Sequence, residues 1–223
     1  VHRGNRPSAG SGSRRRLDVL ALLTFYKPLI RYISKIDDLR KYLRGLQLEN
    51  RDLFYERFAE SVLSSNFGIV HKTKLRYVLG KMSQYVNESA YGSIGSDSKI
   101  FTFVNTDVEI EHILPINPSS VARREFGDTK RMELYQQKLG NLALIEKPIN
   151  GHLGNKPFSK KRPVYTESKF LLTRILSGNH DIGNTLVTKA LAGFSTFDTW
   201  DSDSIDERTN ELFDLAKKVW EMD

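Results

Sequence analysis

The sequence predicts a mainly helical α+β fold with a small strand unit embedded in it. Three observations carry that reading. Leu75, Val78, Leu79, Met82, Tyr85 and Val86 recur at 3, 4 and 7 residue spacing, the period of one helix face. Residues 101–104 and 108–110 alternate like short strands, with 105–107 as the turn between them, and 142–145 is a short apolar run. Near the C-terminus Ile205, Leu212, Ala216 and Val219 fall on one side of a helix expected over 205–221, with Ser204 and Glu207 at capping-box spacing.

The remaining elements follow in order. Residues 1–16 are rich in Gly, Ser and Arg and read as a flexible basic linker. The start with Val rather than Met makes the chain the expected trailing portion of a longer polypeptide. Residues 17–35, 37–46 and 51–64 have helical patterning, and Thr73 is the expected N-cap of the helix that carries Leu75. Residues 17–98 are thus expected to form a helical subdomain, closed by a polar Gly/Ser-rich stretch at 87–98. Residues 99–223 form the second unit: the strands, a proline-bounded loop, a helix over 130–138, a Gly140-Asn141 break, the run 142–145, a loop through Asn150, and helices over 167–176, 182–192 and 205–221.

With 223 residues, 39% of them hydrophobic and 27% charged, the chain can build one sizeable core or two small ones, which excludes collagen, wholesale disorder and a coiled-coil rod. Cysteine is absent, which excludes disulfide scaffolds, Cys-type zinc sites and thiol nucleophiles. Any metal must be held by oxygen or imidazole. The apolar run 19–26 is interrupted at its edges by Asp18 and Lys27 and is too short to span a bilayer, so a soluble cytoplasmic protein without membrane contact is expected.

The formal charge of +7 is unevenly spread. Of the 34 Lys and Arg, five lie in residues 1–17, where no acid lies, and the other 29 nearly balance 27 acids. Residues 147–174 hold seven bases against Glu167 alone, whereas 198–223 hold nine acids against three bases. The first of these segments is a candidate phosphate-facing surface; the second is not.

No Gly-x-x-x-x-Gly-Lys, Gly-x-Ser-x-Gly or His-Glu-x-x-His occurs, so the simplest signatures of nucleotide binding, acyl transfer and zincin chemistry are missing. What remains is Glu111-His112-Ile113-Leu114-Pro115 at a strand end. A carboxylate beside an imidazole can supply a metal ligand and a general base at one place, provided the strand terminates there, because neighbours inside a regular strand point to opposite faces. Gly140-Asn141-Leu142 and Asn150 follow, and an amide oxygen is a hard, neutral ligand suited to magnesium or can orient an imidazole. Together these residues could activate water against a phosphodiester.

The ordered string resembles the HNH, or ββα-metal, nuclease domain at the C-terminal end of GmrSD-type restriction enzymes and SspE-like phage-defence proteins. It consists of Glu111-His112-Ile113-Leu114-Pro115, Leu139-Gly140-Asn141-Leu142-Ala143-Leu144, Asn150, and Phe158-Ser159-Lys160-Lys161 leading to Tyr165 and Ser168, with Trp200, Arg208 and Trp220 beyond. The resemblance covers residues 73–223 and implies a ββα-metal motif within 99–223. It implies a Mg²⁺-dependent DNA endonuclease or nickase acting on foreign, phage DNA, with Mn²⁺ able to substitute. In that comparison His112 is the general base, Asn141 orients it, and Glu111 and Asn150 hold the ion, with His152 the alternative third ligand; apart from the resemblance, Asn155 is a candidate ligand-loop residue by its place in the chain alone. Lys156, Lys160, Lys161 and Arg162 are the expected grips on DNA phosphates, Lys161 foremost. Phe158, Tyr165 and Trp220 are expected in the core. The family's usual partner is an N-terminal GTPase-like sensor domain with an Asp-Gly-Gln-Gln-Arg motif, which is absent here and would act in cis or trans. Two other readings stay open: a module of this fold that grips DNA or a partner without cutting, and an RNA nuclease.

Overall fold

The computed structural model describes residues 72–95, 99–178 and 185–220. They lie in one compact unit, Asp52–Asp223, and the helices expected over 17–64 lie outside the described residues. The chain runs through α1 (Lys72–Gly95), α2 (Ile100–Val104), β1 (Val108–His112), α3 (Ser120–Phe126), α4 (Met132–Gln136), a 3₁₀ turn (Leu139–Asn141) and β2 (Leu142–Glu146). It continues through α5 (Lys147–Leu153), α6 (Phe158–Lys161), a second 3₁₀ turn (Arg162–Glu167), α7 (Leu171–Arg174), a third 3₁₀ turn (Ile175–Ser177), α8 (Thr185–Ala190) and α9 (Ser202–Val219). The described part is therefore mainly helical with one two-stranded antiparallel sheet, an α+β fold. No described helix is long and apolar enough to cross a membrane.

The sheet lies between two apolar clusters, and β2 explains how. Its pleat sends Leu142 and Leu144 into a cluster with Leu79, Met82 and Val86 of α1, Phe170, and Leu212 and Ala216 of α9. It sends Ala143 and Ile145 to the other side, with Ile113, Leu153 of α5, Phe158, Tyr165, Trp200 and Ile205. A strand buried on both faces needs an unbroken apolar run, which is what 142–145 is. β1 pairs with it from Val108 opposite Glu146 to His112 opposite Leu142.

Several expectations change. Residues 101–104 are helical: Phe103 is buried against the Phe170 ring at 5.5 Å, and β1 takes β2, not this segment, as its partner. The turn 105–107 is present, closed by Asp107 N–H donating to Asn105 Oδ1 at 2.9 Å. α1 contains Thr73 rather than starting at it, buries Leu75, Leu79, Met82 and Val86, and runs on to Gly95 through a break at Gly92, where φ is +73°. Part of the proline-bounded loop is α3, capped by Ser119 Oγ accepting from Ala122 N–H at 3.2 Å. α4 is shorter than the helix expected over 130–138. The loop expected through Asn150 is α5, because Pro148 fits the first helical turn and costs no hydrogen bond there. The N-cap of α9 is Asp201, whose carboxylate accepts from Ser204 N–H at 3.0 Å, and Ser204 sits inside the helix.

Candidate functional site

β1 ends at His112, and the segment that leaves it is clamped by Asn141. Asn141 Oδ1 accepts from Leu114 N–H at 2.7 Å and from Trp200 Nε1 at 3.0 Å, and its Nδ2 donates to Leu114 O at 2.9 Å and Gln136 O at 3.0 Å. Its backbone carbonyl takes Ile113 N–H at 3.0 Å. Two acceptor and two donor positions are all that an amide offers, so none is left for the imidazole. Asn141 is fully buried and shapes the loop beyond His112, which corrects the expectation that it orients the ring by direct contact. Gly140 admits this turn to α9: a Cβ there would lie 2.1 Å from Ile205 O and 2.8 Å from Thr209 N.

Where β1 meets the end of α5, a cleft of about 210 Å³ is lined by Glu111, His112, Asn150 and Asn155, with Gly154 in its wall. Gly154 closes α5 at φ +50°, a conformation that favours glycine, and lets the chain turn toward α6. Termination of the strand at His112 thus allows neighbours 111 and 112 to share one opening, as the motif requires.

The pleat places Glu109 and Glu111 on one face of β1, toward α5. Glu111 is 4% exposed, and its Oε1 accepts from Lys161 Nζ at 2.6 Å and Tyr165 OH at 3.2 Å. Burial pushes the Glu111 carboxyl up, opposed by the Lys161 charge and by its hydrogen bonds with Lys161, Tyr165 and the His112 backbone. Burial likewise pushes Lys161 down, opposed by Glu111. The lysine also donates to His112 O at 2.7 Å. Lys161 is 0% exposed, so the expectation that it grips DNA is corrected: its ammonium is committed to the strand that carries the site. At Asn150, Nδ2 donates to Glu109 Oε2 at 2.6 Å. His112 is half-buried, and desolvation lowers its pKa to about 4, aided by the Lys161 and Lys72 charges and opposed by a hydrogen bond with Gln137. The ring is neutral near pH 7.

The remaining candidates are dispersed. His152 is exposed on α5, its Nε2 3.4 Å from Lys156 Nζ, and does not line the cleft. Lys156 and Lys160 are exposed. Arg162 is partly exposed, its Nε donating to Ser177 O at 3.2 Å and its Nη1 2.8 Å from Asp198 Oδ1. Phe158 and Tyr165 are buried as expected, and Trp220 is partly so. The sequence reading missed Glu109, Gln137 and the inward role of Lys161. Only Glu109 had a signal, since a residue two before Glu111 on a strand shares its face. Among the described residues no three His, Asp or Glu side chains converge as a metal cluster.

The fold and cleft define a mainly helical α+β domain organised around a two-stranded sheet, with a Glu-His pair where the sheet ends. The chain belongs to the family of GmrSD restriction endonuclease C-terminal domains, whose model matches residues 52–215. It is therefore a restriction-endonuclease-related domain. Comparison with curated proteins and with solved structures found no match.

Proposed function

We propose that the domain is a metal-dependent DNA endonuclease or nickase of the HNH type, the effector of a defence protein whose GTPase-like sensor lies on the same or another chain. The observation that carries this reading is the single cleft shared by Glu111, His112, Asn150 and Asn155. The donor set fits a divalent ion of magnesium type: one carboxylate and one amide are hard oxygen ligands, and because among the described residues no three His, Asp or Glu side chains converge, the rest of the shell is left to water and phosphate, which Mg²⁺ tolerates well. Mg²⁺ or Mn²⁺ held there would polarise the scissile phosphate and stabilise the departing 3′ oxygen.

The chain's own residues do the rest. His112, neutral near pH 7, has a hydrogen bond with Gln137 at one nitrogen, which leaves the other to take a proton from the attacking water. Lys161 and Tyr165 hold one oxygen of Glu111 from behind and fix the carboxylate's plane. Exposed Lys156 and Lys160 stand close by in sequence to contact flanking phosphates.

Incubation with supercoiled plasmid, Mg²⁺ or Mn²⁺, and matched RNA is the test. Relaxed or linear DNA is expected, with cutting lost in excess EDTA and reduced about a hundredfold to ten-thousandfold in His112→Ala, while that variant keeps its DNA affinity. Cutting that survives EDTA overturns the metal reading. Binding without cutting makes the domain a DNA-gripping module, and RNA-only cutting makes it a ribonuclease.

A further inference from the structure

We infer that Glu109 is a positioning residue that aims the side-chain oxygen of Asn150 at the metal. The inference rests on the reading of Asn150 as a ligand. An asparagine can ligate a cation only through Oδ1, since its Nδ2 carries two hydrogens and no lone pair directed outward. The two ends of the amide have nearly the same shape, so packing alone does not decide which one faces the ion. A carboxylate decides it: it only accepts, so only Nδ2 can face it. Glu109 Oε2 sits 2.6 Å from Asn150 Nδ2 and pins that end, which leaves Oδ1 as the amide's one free ligating atom.

The arrangement repeats at the other ligand. Glu111 is held by Lys161 and Tyr165 through one oxygen, and Asn150 is held by Glu109 through its nitrogen. Each ligand thus has an anchor outside the ion's first shell, and such anchors typically contribute about ten- to a hundredfold in metal affinity. Glu109 does not line the cleft, which separates its role from that of the ligands. β1 and α5 bring the pair together across 41 residues of sequence.

The experiment is Mn²⁺ titration by calorimetry on the whole chain, with melting temperature recorded for each variant. Wild type is expected to bind, and Asn150→Ala to lose most of its affinity. Glu109→Ala should weaken binding about ten- to a hundredfold. Glu109→Gln should stay within about threefold of wild type, because the glutamine carbonyl oxygen accepts the same N–H. A reciprocal pair guards against misfolding of the alanine variant. Asn150→Asp puts a carboxylate against Glu109 and should bind poorly, whereas the Asn150→Asp, Glu109→Gln double variant regains a donor facing the acceptor and should recover Mn²⁺ binding. If Glu109→Gln loses as much as Glu109→Ala, or the double variant shows no recovery over Asn150→Asp, the positioning role is overturned. If Asn150→Ala binds Mn²⁺ like wild type, it is the ligand reading that fails, and an unbound wild type overturns both.

Discussion

Replacing Lys161 by Met removes an ammonium while nearly conserving side-chain length, and the structure sets the size of the effect. The carboxylate it leaves behind is 4% exposed and keeps only the Tyr165 hydroxyl at 3.2 Å and the His112 backbone as partners. Breaking a buried pair by deleting one member costs about 3–5 kcal/mol. An independent bound agrees. Glu111 can always escape its charge by taking a proton, and against an unfolded value of about 4.3 that costs about 3.7 kcal/mol at pH 7, at 1.36 kcal/mol per unit. His112 O also loses its donor at 2.7 Å. A loss of about 4 kcal/mol corresponds to a fall in melting temperature of roughly 8–16 °C for a unit of this size.

The pH dependence has a definite sign. The folded carboxyl is already raised by burial, and losing Lys161 raises it further, so the folded state of the variant binds the proton more tightly than the unfolded state. Stability of Lys161→Met relative to wild type should therefore be nearly whole at pH below the already raised folded value of the wild-type Glu111 carboxyl and fall as pH rises through and above it. Thermal melts followed by circular dichroism between pH 4 and 7 read both effects, and adding Glu111→Gln to Lys161→Met should restore much of the loss. A Lys161→Met melting point within about 2 °C of wild type at pH 7 would refute the buried-pair argument.

Asn141→Ala should destabilise more than a single lost hydrogen bond, by about 3 kcal/mol or beyond, because it strands buried Trp200 Nε1 and both backbone groups of Leu114. Chemical denaturation checks it, and a loss under about 1 kcal/mol would mean that water substitutes for the amide. Gly140→Ala forces a methyl against the backbone of α9 and should cost about 1–3 kcal/mol or prevent folding, measured the same way. Lys160→Ala should lower the salt slope of DNA binding by about one phosphate contact, whereas Lys161→Met, buried, should leave that slope unchanged. Asp201→Ala should lower stability by about 1 kcal/mol through loss of the α9 cap, a change that thermal melts resolve.

Long periodic elements were legible in the sequence, and short ones were misread where a tertiary partner decided the outcome. α1 and α9 show an apolar stripe over several turns, and Leu75, Leu79, Met82 and Val86 of α1 and Ile205, Leu212 and Ala216 of α9 are buried along it, whereas Val78 and Val219 are partly buried and Tyr85, expected on the same face, is exposed. Residues 101–104 have no such length: four apolar, aromatic and β-branched residues favour a strand locally, and the segment is helical because Phe103 packs on Phe170 while β1 is already paired. Residues 142–145, a short apolar run after the Gly140-Asn141 break, are a strand because β1 pairs with them along their whole length and both of their faces are buried.

At the site, the residues that touch the cleft were visible and those that hold them were not. Glu111, His112 and Asn150 occupy fixed places in an ordered motif, whereas the partner of each is set by distances of 50, 25 and 41 residues that no local pattern records. Lys161 shows the consequence most clearly. Charge counting assigns a lysine in a basic run to phosphate, since most lysines are solvated, yet this one lies one helical turn from Pro157 on the inner side of α6 with Phe158, where its stem packs and its ammonium meets Glu111. Lys160, its neighbour by one residue, is exposed on the same helix. One α6 therefore turns a basic pair two ways, Lys160 toward solvent and Lys161 toward the carboxylate that the proposed metal site depends on.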